Sequence, residues 1–284
     1  VIPRSLLFCP GDRPERLTKA VALADAVIAD LEDAVLPASK ASARAAVAAW
    51  LHAYPRQAER VWVRINGEPD LRDADLAALA GLTMAGIVVP KAEPPTLAAV
   101  AERTSVPLLA LVETAAGLWQ LPEIARTPRL HTIALGEYDL AADLGVERPD
   151  IDAAPLAWAR AQVVAICAAT GLAAPPAAVT ARLDDPAGFA EQTRALQRHG
   201  FFGRMCIHPE QVRLTHEAIR LTPDEVAAAE AVLDAAAAAE RDGSGVVVVD
   251  GRLVDHAVVR RARRVRDAAA LESSKTALRE GAIP

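Results

Sequence analysis

The stretch VIADLEDAV, residues 27–35, poses the question that organises the whole chain. Its first half is the apolar, β-branched run of a buried strand, yet the run ends in three acids, Asp30, Glu32 and Asp33. Carboxylates taken out of water without partners are costly, so these acids are either solvated at a strand end or faced by positive groups. Other segments repeat the arrangement. SLLFCP, AVIADLE, VWVRIN, GIVVPK, PLLALVE, TIALGE, a weak AAPPAAV and RMCIHP are all short apolar runs bounded by turn residues, and Ala-rich helical stretches lie between most of them. That alternation predicts a parallel sheet covered by helices, and eight such strands predict a closed barrel.

The predicted helices cover residues 16–23, 40–52, 73–80, 96–103, 156–169 and 186–198. Pro14 suits a first helical turn, and Gly171 and Gly200 suit helix C-termini. After CIHPEQV the rhythm changes. A long Ala/Glu helix over 224–241, opened by a Thr222 cap, leads into a VVVVDGRLVD hairpin and then an Arg-rich helix. The expected organisation is therefore an α/β barrel of TIM (β/α)8 type over residues 1–222, with a helix/β-hairpin/helix extension over 223–284. The arginines of that last helix, Arg260, Arg261, Arg263, Arg264 and Arg266, read as a solvated face.

Composition narrows the function. The chain has 284 residues, 52% of them hydrophobic, which is ample for a large core. A net charge of −6 argues against nucleic-acid and membrane-surface partners. Cys9, Cys167 and Cys206 are widely spaced and odd in number, so neither a zinc knuckle nor a disulfide framework is expected. The opening VIPRSLLFCPGDR lacks a signal-peptide pattern, and the uncharged run 161–181 is broken by TGLAAPP. These features predict a cytoplasmic protein.

Ionisable residues recur where the predicted strands end: Asp30, Glu32 and Asp33 after the second, Arg64 after the third, Lys91 after the fourth, Glu113 after the fifth, Glu137 and Asp139 after the sixth, His208 after the eighth. In α/β barrels the catalytic groups project from that end, so their convergence predicts an active site at the mouth. Glu113 and Asp139 are hard oxygen donors on adjacent strands with no His or Cys cluster to compete, a donor set for Mg2+ rather than zinc. Asp33 and Glu32 would then accept hydrogen bonds from metal waters or pair with Arg64 or Lys91. A cap on the following helix is the alternative for Asp33. Lys91 reads as an electrostatic carboxylate binder rather than a Schiff-base lysine, because a metal-dependent reaction needs no imine.

RSLLFCPGDRPERL, DAVIADLEDAV, VWVRING, IVVPKAE, LVETAAGL, ALGEYDLAADLG, MCIHPEQV and VVVDGRLVD together resemble, in order and over nearly the whole chain, the blocks of citrate lyase β-subunit (CitE-like) proteins of the HpcH/HpaI aldolase and citrate lyase superfamily. The resemblance implies a TIM barrel, Mg2+, and carbon–carbon lyase chemistry on an acyl thioester of CoA or acyl carrier protein, giving an α-keto acid such as oxaloacetate. It also implies a homo-oligomer, a trimer or hexamer. Carried over by residue, Glu113 and Asp139 match the metal ligands, Arg64 matches the arginine holding substrate oxygens, Asp33 matches the acid near metal waters, and Asp255 matches an aspartate that reaches a neighbour's site. Glu137 and the polar-poor AAPPAAV segment depart from the family pattern. Alternatives with the same residues are a stand-alone malyl-CoA or citramalyl-CoA lyase, a malate synthase-like or thioesterase-like CoA enzyme, and a noncatalytic metal-binding subunit. Intact Glu113, Asp139, Arg64 and Asp255 count against the last.

Overall fold

The computed structural model describes residues 3–150, 153–241, 247–249, 252–263, 265, 266 and 269. It divides into two compact units, Val1–Ile219 and Arg220–Pro284. Seven parallel strands build the first: β1 (Ser5–Pro10), β2 (Ala26–Asp30), β3 (Val61–Arg64), β4 (Gly86–Val89), β5 (Leu108–Val112), β6 (Leu130–Leu135) and β7 (Arg204–Cys206). They lie in the order β6-β5-β4-β3-β2-β1-β7, a curled α/β sheet of the TIM-barrel type. The strands are Val-, Ile- and Leu-rich and buried almost throughout, as a parallel sheet covered on both faces requires.

Period-two alternation sorts the side chains into two layers. Val27, Ala29, Val61, Val63 and Val112 pack with the helix residues Leu17, Val47 and Leu97. Ala26, Ile28, Trp62, Val88, Leu109 and Leu111 form a second cluster drawn almost wholly from strands, the filling of the barrel itself. Asp30, Arg64 and Glu113 continue the second set, so strand parity alone carries them to the interior of the mouth.

The expected strand AAPPAAV is corrected by the structure: it does not form a strand and contributes a single bridge, Ala177 to Arg204. Ala173 N donates to His131 O on β6 at 2.9 Å, while Met205 N donates to Ala177 O at 2.8 Å and Ala177 N to Gly203 O at 3.0 Å on the β7 side. The segment therefore fills the gap between the two edge strands without a continuous ladder. Pro175 and Pro176 have no N–H to donate, which removes two consecutive rungs.

The predicted helices are present as Pro14–Leu23, Lys40–Ala53, Pro69–Leu79, Pro94–Arg103, Ala157–Thr170 and Pro186–Arg198. Sequence reading missed Ala115–Trp119, Glu137–Leu144 and Pro209–Ile219, which follow strands so closely that their first turns read as strand ends. Gly171 takes the left-handed conformation, φ 72°, that ends the helix before it. In the second unit Thr222 and Glu225 form a reciprocal capping box at the start of Pro223–Arg241. β8 (Val247–Val249) pairs antiparallel with β9 (Arg252–Val254), and residues 256–263 are helical. The Asp-Gly turn of the hairpin and Arg264 lie outside the described residues. No helix among the described residues is long and apolar enough to cross a membrane.

Candidate active site

Asp30 and Arg64 are register partners across β2 and β3. Arg64 Nε donates to Asp30 Oδ1 at 2.7 Å and Nη2 to Asp30 Oδ2 at 2.6 Å, a bidentate fork with both residues buried. The remaining arm, Nη1, lies 3.0 Å from Glu32 Oε2 and 3.2 Å from Asp33 Oδ2. Beneath the guanidinium sits the Phe8 ring, its centroid 5.2 Å from Cζ. Burial alone would lower the arginine's pKa; hydrogen bonds and charges from Asp30, Glu32 and Asp33 reverse this and raise it. The acids that opened the sequence problem thus face a buried cation.

The chain of charges continues. Lys91 Nζ donates to Glu32 Oε1 at 2.9 Å, so Glu32 stands between Arg64 and Lys91. Burial nonetheless raises the Glu32 pKa. The Lys91 backbone N–H donates to Glu113 Oε1 at 2.8 Å from a left-handed conformation, φ 44°, rare for a residue with a side chain. Glu113, 3% exposed, has its pKa pushed up to about 7, chiefly by burial, with the negative charges of Glu32 and Asp139 adding to it and the Lys91 N–H opposing. Gly136 closes the other side: a Cβ there would lie 2.4 Å from Glu113 Oε2, so only glycine leaves room for the carboxylate.

Of the residues predicted from sequence, Arg64, Asp33, Lys91 and Glu113 are joined through Glu32 in this one network, and Asp139 lies exposed in the first turn of Glu137–Leu144, near enough to act on Glu113. Asp33 is not a helix cap; it is exposed and paired with Arg64. Glu137 turns away into a bidentate pair with Arg160, at 2.7 and 2.5 Å, which accounts for its presence after β6. His208 accepts from Glu210 N at 3.2 Å at the start of Pro209–Ile219. Asp255, in the second unit, is exposed and accepts from Ala257 N at 2.8 Å and Val258 N at 2.9 Å; those hydrogen bonds lower its pKa.

Sequence reading missed that Asp30 is the main partner of Arg64, that the Lys91 backbone holds Glu113, and that Gly136 shapes its seat. Strand parity narrows the first, since Asp30 shares the interior face with Arg64, but Glu32 has the same parity, so parity does not choose between them. Three buried side-chain oxygens among the described residues lack a hydrogen bond, Asp12 Oδ1, Glu32 Oε2 and Asn66 Oδ1, and all follow the ends of β1 to β3.

A parallel barrel with acids and bases converging at its C-terminal mouth defines the TIM-barrel enzyme class. Within that class the chain belongs to the HpcH/HpaI aldolase/citrate lyase family, which matches residues 4–209. It is 40% identical to a citrate lyase subunit beta-like protein of Deinococcus radiodurans, over 92% of this chain and 95% of that one. It is 34% identical to an L-malyl-CoA/beta-methylmalyl-CoA lyase of Cereibacter sphaeroides, over 91% and 92%. The structure of CitE from Mycobacterium tuberculosis in complex with magnesium, acetoacetate and coenzyme A superposes with a TM-score of 0.79 at 35% identity, covering 93% of this chain and 98% of that one.

Proposed function

We propose that the protein is a Mg2+-dependent carbon–carbon lyase of citrate lyase β-subunit type, cleaving a citryl thioester to oxaloacetate and an acetyl thioester. The observation that carries this reading is the seat of Glu113: a buried carboxylate held by the Lys91 N–H, its pKa raised chiefly by burial and further by the charges of Glu32 and Asp139. Such a donor set fits a hard divalent ion held by Glu113 and Asp139, with oxygen ligands from substrate and water completing its shell. When bound, Mg2+ would supply Lewis-acid charge for a hydroxyl or keto oxygen and its neighbouring carboxylate.

The chain's own residues do the rest. Cleavage needs a base to take the substrate's hydroxyl proton as that carbon becomes the keto carbon, while the electrons of the carbon–carbon bond move into the thioester as an enolate, so negative charge on oxygen must be stabilised. Arg64, fixed by Asp30 and stacked on Phe8, keeps its charge throughout, and its Nη1 arm, shared between Glu32 and Asp33, is the one that would exchange a carboxylate for substrate oxygen. Lys91, its side chain half exposed, adds positive charge beside the substrate's carboxylate, and Asp33, paired with Arg64, would accept hydrogen bonds from metal-bound water. Asp255 is the acid/base of this reading, taking a proton from the acyl carbon in the condensing direction and returning it on cleavage; that role requires burial in the assembled site to raise a pKa that two backbone N–H groups lower in the single chain. In this reading Asp255 reaches the site of a neighbouring subunit in a homotrimer or hexamer.

A stand-alone malyl-CoA or citramalyl-CoA lyase, or a hydrolysing variant of it, is the second reading, favoured by the malyl-CoA lyase relative. Incubation with citryl-CoA, malyl-CoA and citramalyl-CoA, with and without Mg2+, separates the two by which substrate releases keto acid. Release of free CoA without keto acid would mark thioester hydrolysis, and no turnover of any substrate with Mg2+ present would reject the lyase. Subunit sharing is tested by mixing Asp255→Ala with Glu113→Gln chains, each inactive alone. Recovery of part of the activity in mixed oligomers is expected, and mixed oligomers inactive at every ratio would rule it out.

A further inference from the structure

Lys91 is the residue at the mouth whose conformation its side chain does not explain. Among the described residues only Lys91 and Arg129 take a positive φ without being glycine, and Lys91 does so two residues beyond the end of β4. The left-handed region brings Cβ against the backbone, so a lysine held there is held by something else. Two contacts pin the peptides of the turn to β5. Lys91 N donates to Glu113 Oε1 at 2.8 Å, and Ala92 N donates to Leu111 O at 3.0 Å. A third pins the side chain, Nζ to Glu32 Oε1 at 2.9 Å, and Glu32 is itself held 3.0 Å from Arg64 Nη1. The ammonium is thereby tied to Glu32 while the backbone N–H is aimed at Glu113.

We propose that Lys91 is a positioning residue whose left-handed backbone fixes the Glu113 carboxylate for cation binding, separately from any charge its ammonium offers a ligand. The N–H takes Oε1, Gly136 bounds Oε2, and the carboxylate is left one orientation. Glu32 locks this state by tying the lysine to the Arg64 cluster, so that one alternating chain, Asp30, Arg64, Glu32, Lys91, Glu113, connects the arginine of the mouth to the metal carboxylate. This rests on the assignment of Glu113 as a Mg2+ ligand.

The test compares substitutions that remove the same charge but differ in tolerance of a positive φ. Lys91→Gly and Lys91→Asn adopt the left-handed region readily; Lys91→Ala and Lys91→Val resist it. Mg2+ alone is titrated calorimetrically into each full-length variant, with thermal unfolding recorded in parallel. The glycine and asparagine variants should keep Mg2+ affinity within about threefold of one another, and the alanine and valine variants should bind about tenfold or more weakly, the scale on which partners of metal ligands act. If the valine variant fails to fold, asparagine against alanine draws the same distinction. Equal affinity in all four variants would overturn the backbone role. Failure of the underlying reading looks different: unmodified protein would then bind no Mg2+, or Glu113→Gln would bind it as well as the unmodified chain.

Discussion

Arg64 and Arg204 are both buried arginines on barrel strands, 8% and 1% exposed, and they sit in opposite electrostatic worlds. Arg64 faces three carboxylates, which hold its pKa above the ordinary value. The hydrogen bonds described for Arg204 go only to neutral groups: the carbonyls of Ala178 at 3.3 Å and Phe189 at 3.1 Å, Thr193 Oγ1 at 2.6 Å, and Gln192 Oε1. The Phe189 ring lies over it at 4.0 Å, and burial lowers its pKa to about 10. The difference teaches what each cation is for. Arg204 sits at the seam where AAPPAAV fails to make a strand, and its reach to Ala178 and to the helix Pro186–Arg198 replaces ladder bonds that two prolines withhold. Arg64 is held by an excess of acid, the condition under which a further cation becomes welcome.

The largest effect should come from breaking the acid-rich half. Arg64→Met leaves Asp30 buried without its partner, and a loss of about 3–5 kcal/mol is expected in denaturant unfolding. Arg64→Lys should keep more stability yet lose turnover by roughly 10²-fold or more, since a point ammonium cannot reproduce the planar fork. A fully active lysine variant would show that Arg64 only braces Asp30. Next in size is Arg204→Met, which orphans several acceptors at the seam and should cost on the order of 1–3 kcal/mol. Its Mg2+ affinity should match that of the unmodified chain. Weakening of Mg2+ binding comparable to that caused by Glu113→Gln would dissolve the separation of site from seam.

The smallest effect is a titration confined to the mouth. Glu113 has its pKa raised from 4.5 to about 7, so the folded chain holds a proton there that the unfolded chain releases more readily. Stability from this group is full below the unfolded value and is lost as pH rises through about 7. Mg2+ needs the carboxylate and pulls the other way: its affinity should fall about tenfold per pH unit below that point, a trend Glu113→Gln should abolish. Neither arginine titrates in this range, so a pH profile surviving in Glu113→Gln would place its source outside this carboxylate.

By itself the sequence determined the barrel class, all seven parallel strands with the helices between most of them, and the identity of the residues at the strand ends, because hydrophobic period and turn residues are local signals that parallel strands must satisfy. It also carried, through strand parity, the placement of Arg64 and Glu113 on the interior face. Only the tertiary structure decided which acid holds Arg64, because Asp30, Glu32 and Asp33 look alike along the chain and differ only in what β3 and β4 bring against them. The fate of AAPPAAV was likewise open until both edges of the sheet were in place: its prolines limit what it can donate, but its partners are supplied by the two edge strands, β6 and β7, and the residues beside them. Glu113 and Lys91 make the point most plainly. A carboxylate and a lysine twenty-two positions apart meet through a backbone N–H, a group every non-proline residue carries, so no side-chain pattern could announce it, and burial and neighbouring charge, which exist only in the folded barrel, set the acidity of Glu113.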